Sequence, residues 1–148
     1  MTVAVKKEGG YAVVVDYEKR LPKMIEGAGV FWANPEITEE YFPVRVGGKE
    51  KVIVYLLKFD QCPTTEEALQ KVRENGFRPA TLPELLALGA AYPELWKQFP
   101  LLALVFPRCD SSYMAPGLYL RNEKCALSLG LLGADWGEDC RFVVVKAA

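Results

Sequence analysis

Thr64 and Glu67, and again Thr81 and Glu84, repeat one local device in the middle of the chain. A threonine followed three residues later by glutamate is a capping box. Its hydroxyl accepts from the glutamate amide, and the glutamate carboxylate accepts from the threonine amide, so a helix starts there. "TTEEALQKVRENG" then runs to Asn75-Gly76, residues suited to the left-handed turn that ends a helix. "TLPELLALG" carries Pro83 in its first turn and reads as ending at Gly89. "AYPELWKQF" (Ala91–Phe99) predicts one more short helix. Ala68, Leu69 and Val72 share a face of the first helix and must pack on a sheet.

Extended segments surround these helices. "YAVVVDY" (Tyr11–Tyr17) is β-branched and predicts a strand, with "TVAV" ahead of it as a hairpin partner across "EGG". The charge run Glu18–Arg20 and Pro22 close it. "FWANPEITEEYFPVRV" (Phe31–Val46) is broken by Pro35 and Pro43, and predicts a connection with one helical turn at Ile37–Tyr41. "KVIVYLLKF" (Lys51–Phe59) is the strongest central strand. After Phe99, "PLLALVF", "GLYL" (Gly117–Leu120), "KCALSL" and "CRFVVVK" predict four more. Strands before the helices and strands after them give an α+β fold, with helices packed on a mostly antiparallel sheet, rather than βαβ repeats. At 148 residues, with no internal repeat or low-complexity tract, residues 1–148 form a single domain.

The residue types narrow the chemistry. The chain has no histidine, which removes the commonest general base, most zinc sites and every Ser-His or Cys-His nucleophile pair. The glycine-rich stretches at Gly47-Gly48 and Gly130–Gly137 match neither a P-loop nor a dinucleotide fingerprint. Asp135, Glu138 and Asp139 lie close together but lack EF-hand spacing, so they read as a solvated acidic turn rather than a calcium site. Asp110, Ser111 and Ser112 offer a carboxylate and hydroxyls without a base. The expectation is no catalytic residue, no metal and no cofactor. Cys62, Cys109, Cys125 and Cys140 show no C-x-x-C spacing and read as thiols at partly buried sites, with a disulfide as the alternative. A net charge of −1 argues against a nucleic-acid partner. No basic-then-apolar leader and no apolar run of spanning length is present. Synthesis in the cytoplasm is expected, with no membrane span and the final location open.

Alternation in "KCALSLG" divides the strand in two. Cys125, Leu127 and Leu129 point one way, and Leu127 and Leu129 suit the core; Ala126, Ser128 and Gly130 point the other, towards solvent. Leu131 to Ala134 follow as a turn. Trp136 is a large aromatic in a loop-rich stretch, suited to pinning that loop from beneath.

"GFRPATLPELLALGAAYPELWKQFPLLAL" (Gly76–Leu104), with Trp136 and "CRFVVVK" (Cys140–Lys146), resembles the variable proteins of diversity-generating retroelements. The resemblance is clearest from Cys62 to Lys146. It implies a C-type lectin-like fold and a non-enzymatic protein with a hypervariable surface, diversified by a retroelement reverse transcriptase. Its partner would be an unknown protein or surface ligand. Adenine-randomised AAC codons never yield Lys, Glu, Gln, Met or Trp. Met114, Glu123, Lys124, Trp136 and Glu138 would therefore be scaffold. The variable segment would span about 109–140. Its ligand-binding face would comprise Asp110, Ser111, Ser112, Tyr113, Ala126, Ser128, Gly130, Leu131, Leu132, Gly133, Ala134, Gly137, Asp139 and Cys140. A structural or assembly subunit is the alternative, and an enzyme of unknown class using the carboxylates near Trp136 a more remote one.

Overall fold

Two glycines near the start decide the shape of the first strand. Gly9 and Gly10 have positive φ (90° and 135°), a region open to glycine. They form a bulge, not a hairpin turn: β1 (Val5–Asp16) continues through them as one strand along β3 (Lys49–Phe59), from Val5↔Phe59 to Asp16↔Lys49. The expected "TVAV" hairpin is thus replaced by one long antiparallel pair, with Thr2 to Ala4 outside the described residues. The computed structural model describes residues 5–107, 114–132, 136 and 139–147.

Leu21–Gly27 form a helix, α1, that sequence reasoning did not anticipate. Pro22 was read as a strand stop; it sits in the first helical turn, where its missing N–H costs nothing. Val30–Ala33 form a short strand, β2, where only a connection was expected. Ile37–Tyr41 are turns and bends, with one helix-like bond from the Phe42 amide to the Thr38 carbonyl (2.8 Å).

Both capping boxes form. At α2 (Thr65–Glu74) the Thr64 hydroxyl accepts from the Glu67 amide (3.1 Å), and the Glu67 carboxylate accepts from the Thr64 amide (3.0 Å). At α3 (Leu82–Ala91) the matching distances are 3.3 and 2.8 Å. Between them lies β4 (Phe77–Pro79). α3 does not stop at Gly89. It runs on to Ala91, because Gly89 is a packing position: a Cβ there would lie 2.4 Å from Leu118 Cδ1. α4 spans Pro93–Gln98.

The expected long strand "PLLALVF" is ladder-paired only over Leu101–Leu102, β5. β6 (Ala115–Arg121) and β7 (Lys124–Gly130) form a hairpin. Asn122 and Glu123 at its turn both have positive φ (50° and 66°), the pattern of the two-residue turn that matches strand twist. β8 (Arg141–Lys146) is the final strand. The sheet order is β1-β3-β8-β5-β6-β7-β2, with β4 also paired to β8. The β2–β7 and β5–β8 pairs are parallel and the other pairs are antiparallel. The result is an α+β fold, with an eight-stranded mixed sheet and four helices among the described residues.

Adjacent residues of a strand face opposite ways, and the core follows that rule. Leu56, Leu118, Leu127, Val143 and Val145 join Leu21, Leu85, Leu88 and Trp96 from α1, α3 and α4 on one face. Leu57, Phe59, Phe142 and Val144 join Ala68 and Val72 of α2, with Trp136 and Cys140, on the other. No helix among the described residues is long and apolar enough to cross a membrane.

Candidate functional site

Gly117 is the seat on which the far face of the hairpin is organised. A Cβ at this position would lie 2.7 Å from Trp136 Cη2 and 2.6 Å from Leu102 Cδ2. Only a glycine lets the indole lie this close to the strand. Trp136 is buried and meets the Tyr119 ring edge-on at 5.5 Å and 73°. Its indole N–H has no acceptor among the described residues. Trp136 therefore ties its surroundings to the sheet through packing, as its residue type suggests.

The register Ala115↔Gly130 then matters. The chain enters β6 at Ala115 from the 108–113 segment and leaves β7 at Gly130 towards 131–140. Both segments of the expected variable face thus join the sheet side by side.

Residue by residue, the placement is mixed. Leu131 is 45% exposed, Asp139 is exposed, and Ser128 and Leu132 are half-buried. Ala126, Gly130 and Cys140 are buried, contrary to the expected exposure. Alternation correctly turned Ala126 and Gly130 away from the α1/α3/α4 side, but that second face is not solvent. Ala126 is held between Tyr119 of β6 and Trp32 of β2, and Cys140 joins the Trp136 cluster. Leu127 and Leu129 are buried as expected, and so are Phe142 and Val144 of β8. Asp110, Ser111, Ser112, Tyr113, Gly133, Ala134 and Gly137 lie outside the described residues, as do Cys109, Asp135 and Glu138.

Asp139 is exposed yet engaged. Its carboxylate lies 3.3 Å from Arg141 and 3.8 Å from Lys58, and its carbonyl accepts from Arg141 (2.7 Å). Arg141 also donates to Glu8 (2.9 Å) and covers the Phe99 ring at 4.1 Å. Glu8, Lys58 and Arg141 border a cleft of about 490 Å³ that also includes Lys6 and Asp60. Its opposite charges largely answer one another.

The two buried thiols, Cys125 and Cys140, are unsuited to nucleophilic chemistry. Burial pushes Cys125 and Cys140 up to about 11, so both stay protonated at neutral pH. No group of three or more His, Cys, Asp or Glu among the described residues is arranged to hold a metal.

A second surface escaped the sequence reading. At the hairpin end of β7, Phe31, Trp32, Arg121, Asn122, Cys125 and Ala126 line a mainly apolar recess of about 250 Å³. Phe31 is 70% and Trp32 38% exposed. The Arg121 guanidinium lies over the Trp32 ring (5.2 Å), and the Lys124 ammonium over the Phe31 ring (3.9 Å). The signal was the "FW" pair opening a segment read as a connection. What hid it is that β2 pairs with a strand far along the chain. No family model, curated protein or solved structure matches the chain.

Proposed function

We propose that the protein is a non-enzymatic binding module that displays a variable surface on a C-type lectin-like scaffold, diversified by a retroelement reverse transcriptase. The reading rests on the resemblance of Gly76–Leu104, Trp136 and Cys140–Lys146 to variable proteins of such elements. The observation that supports it is the pairing of Ala115, where the chain enters β6, with Gly130, where it leaves β7, beside a tryptophan seated on Gly117. A sheet anchored in this way supplies the pre-organisation that lowers the entropic cost of binding. Exposed positions on it tolerate substitution within about 0.5 kcal/mol.

Among the described residues the display set narrows to Ser128, Leu131, Leu132 and Asp139. Ala126, Gly130 and Cys140 belong to the support beneath. Asp110 to Tyr113, Gly133, Ala134 and Gly137 belong to the proposed set by the resemblance alone and lie outside the described residues. The partner is a protein or surface ligand whose identity this variant's residues do not encode in any motif.

The genomic neighbourhood is the test. The expected finding is a reverse-transcriptase gene nearby, with a near-copy of the segment coding for 109–140 that differs at adenines. A neighbourhood holding neither overturns the reading.

A further inference from the structure

We infer that the open edge of β2 is a docking site for an extended acidic segment of a partner polypeptide. The segment adds as a strand beside β2, placing an apolar side chain in the Phe31/Trp32 recess and carboxylates on Arg121 and Lys124. The inference does not rest on a variable surface. The recess is lined by Cys125 and Ala126, four to five residues of β7 from Gly130, so it lies roughly 15 Å from where the chain leaves the sheet.

Three observations carry it. First, β2 ends the sheet order, with β7 on one side and no strand on the other among the described residues. A terminal strand offers backbone donors and acceptors to an incoming chain, which is how strand addition gains its affinity. Short length, a bulge, charge, proline or cover normally protects such an edge. Val30–Ala33 is short and its register shifts between Val30 and Trp32, but it carries neither charge nor proline and exposes Phe31 and Trp32.

Second, the recess beside the edge is lined mainly by apolar surface and is large enough for one side chain. Third, the charge is unanswered. Arg121 and Lys124 form no ion pair among the described residues, unlike Arg20, Arg45, Lys58, Arg78 and Arg141, which do. Their only described polar engagement is with the faces of Trp32 and Phe31. A guanidinium lying over a ring keeps its edge N–H groups available for a carboxylate. Glu123 sits between them in the hairpin turn and pairs with neither.

Stacking aromatics with cations would also suit single-stranded nucleic acid. The open strand edge offers backbone pairing that a polypeptide can use and a nucleic acid cannot, and this favours the acidic peptide.

A displayed library of random dodecamer peptides, panned on the intact protein, tests this. Enriched peptides should alternate apolar and acidic residues, bind at least tenfold better than their lysine-for-acid counterparts, and weaken as salt rises. Arg121→Glu with Lys124→Glu should remove that preference while circular dichroism and melting stay unchanged. Trp32→Ser should weaken binding separately. Backbone N-methylation should abolish binding at alternate positions only, the mark of a paired strand. No enrichment, neutral or basic consensus peptides, or indifference to the charge reversal would overturn the inference. So would tighter binding of a thymidine oligonucleotide, or self-association through this face in sedimentation that Trp32→Ser abolishes.

Discussion

Trp136 and its glycine seat make the sharpest contrast available among single residues. Truncating Trp136→Ala removes a buried indole from the Leu102, Tyr119 and Phe142 cluster and should cost about 3–5 kcal/mol. Leu131→Ser and Asp139→Asn change exposed side chains and should each cost under about 1 kcal/mol. Chemical denaturation midpoints compare them directly. Equal losses in both sets would mean that Leu131 and Asp139 are packing, not display. The cysteines give an independent reading of burial. In a variant with Cys62 and Cys109 replaced by serine, Cys125 and Cys140 should react with a thiol reagent at pH 8 at least about a hundredfold more slowly than in denaturant. Thiols raised to about 11 hold almost no thiolate at that pH. Rapid native labelling would show that their surroundings open. Such single-residue facts were partly legible. A tryptophan among small residues advertised an anchor, and Leu127 and Leu129 declared the core face by alternation. Ala126 could not declare its burial, because the cover over it comes from Tyr119 and Trp32 on other strands.

Helices whose signals are local were read well, and elements defined by distant partners were not. Thr64–Glu67 and Thr81–Glu84 sit within one turn of the helices that they start, so sequence alone located α2 and α3. β2 is a strand only because β7, some ninety positions later, accepts it. Gly89 shows the same limit at the other end of α3. Glycine commonly ends a helix, and nothing nearby revealed that Leu118 of β6 needed the space. This gives a prediction of reversed sign. Glycine to alanine inside a helix normally gains about 1 kcal/mol. Gly89→Ala should instead lose about 1–3 kcal/mol, because the new methyl would lie 2.4 Å from Cδ1 of the fully buried Leu118 and force it to shift within the core. A stabilised Gly89→Ala protein would mean that α3 and β6 are packed less closely than described.

Across the molecule, Arg78 of β4 and Glu84 of α3 join the β8 side of the sheet to the helical layer. The two groups meet in a bidentate pair with both contacts at 2.8 Å, and Glu84 also accepts from the Thr81 amide. Burial alone would raise the Glu84 carboxyl, but the Arg78 pair and the Thr81 amide outweigh it and hold the group below the usual glutamate range. A folded value below the unfolded one stabilises fully above the unfolded value and is lost as pH falls through the folded one. Unfolding free energy should therefore decline on acidification below about pH 4.5. Glu84→Gln should lower stability at pH 7 by about 1–3 kcal/mol and flatten that decline. Guanidinium titrations between pH 7 and 3 measure both; an unchanged acid limb in the variant would move the acid sensitivity elsewhere.

The position of β8 has a consequence for how such a molecule is made. The strand formed latest in the chain lies inside the sheet, bonded to β3, β4 and β5 together. As a ribosome delivers the polypeptide, the β1–β3 ladder and the β5–β6–β7 unit emerge first, and β3 and β5 each present a margin awaiting the same absent neighbour. Until Arg141–Lys146 arrive, those margins are open to any nascent chain alongside, and the hazard of co-aggregation peaks just before synthesis of this segment ends. Arrival of "RFVVVK" closes both margins in one event, so the last strand acts as the zip that turns two half-sheets into one.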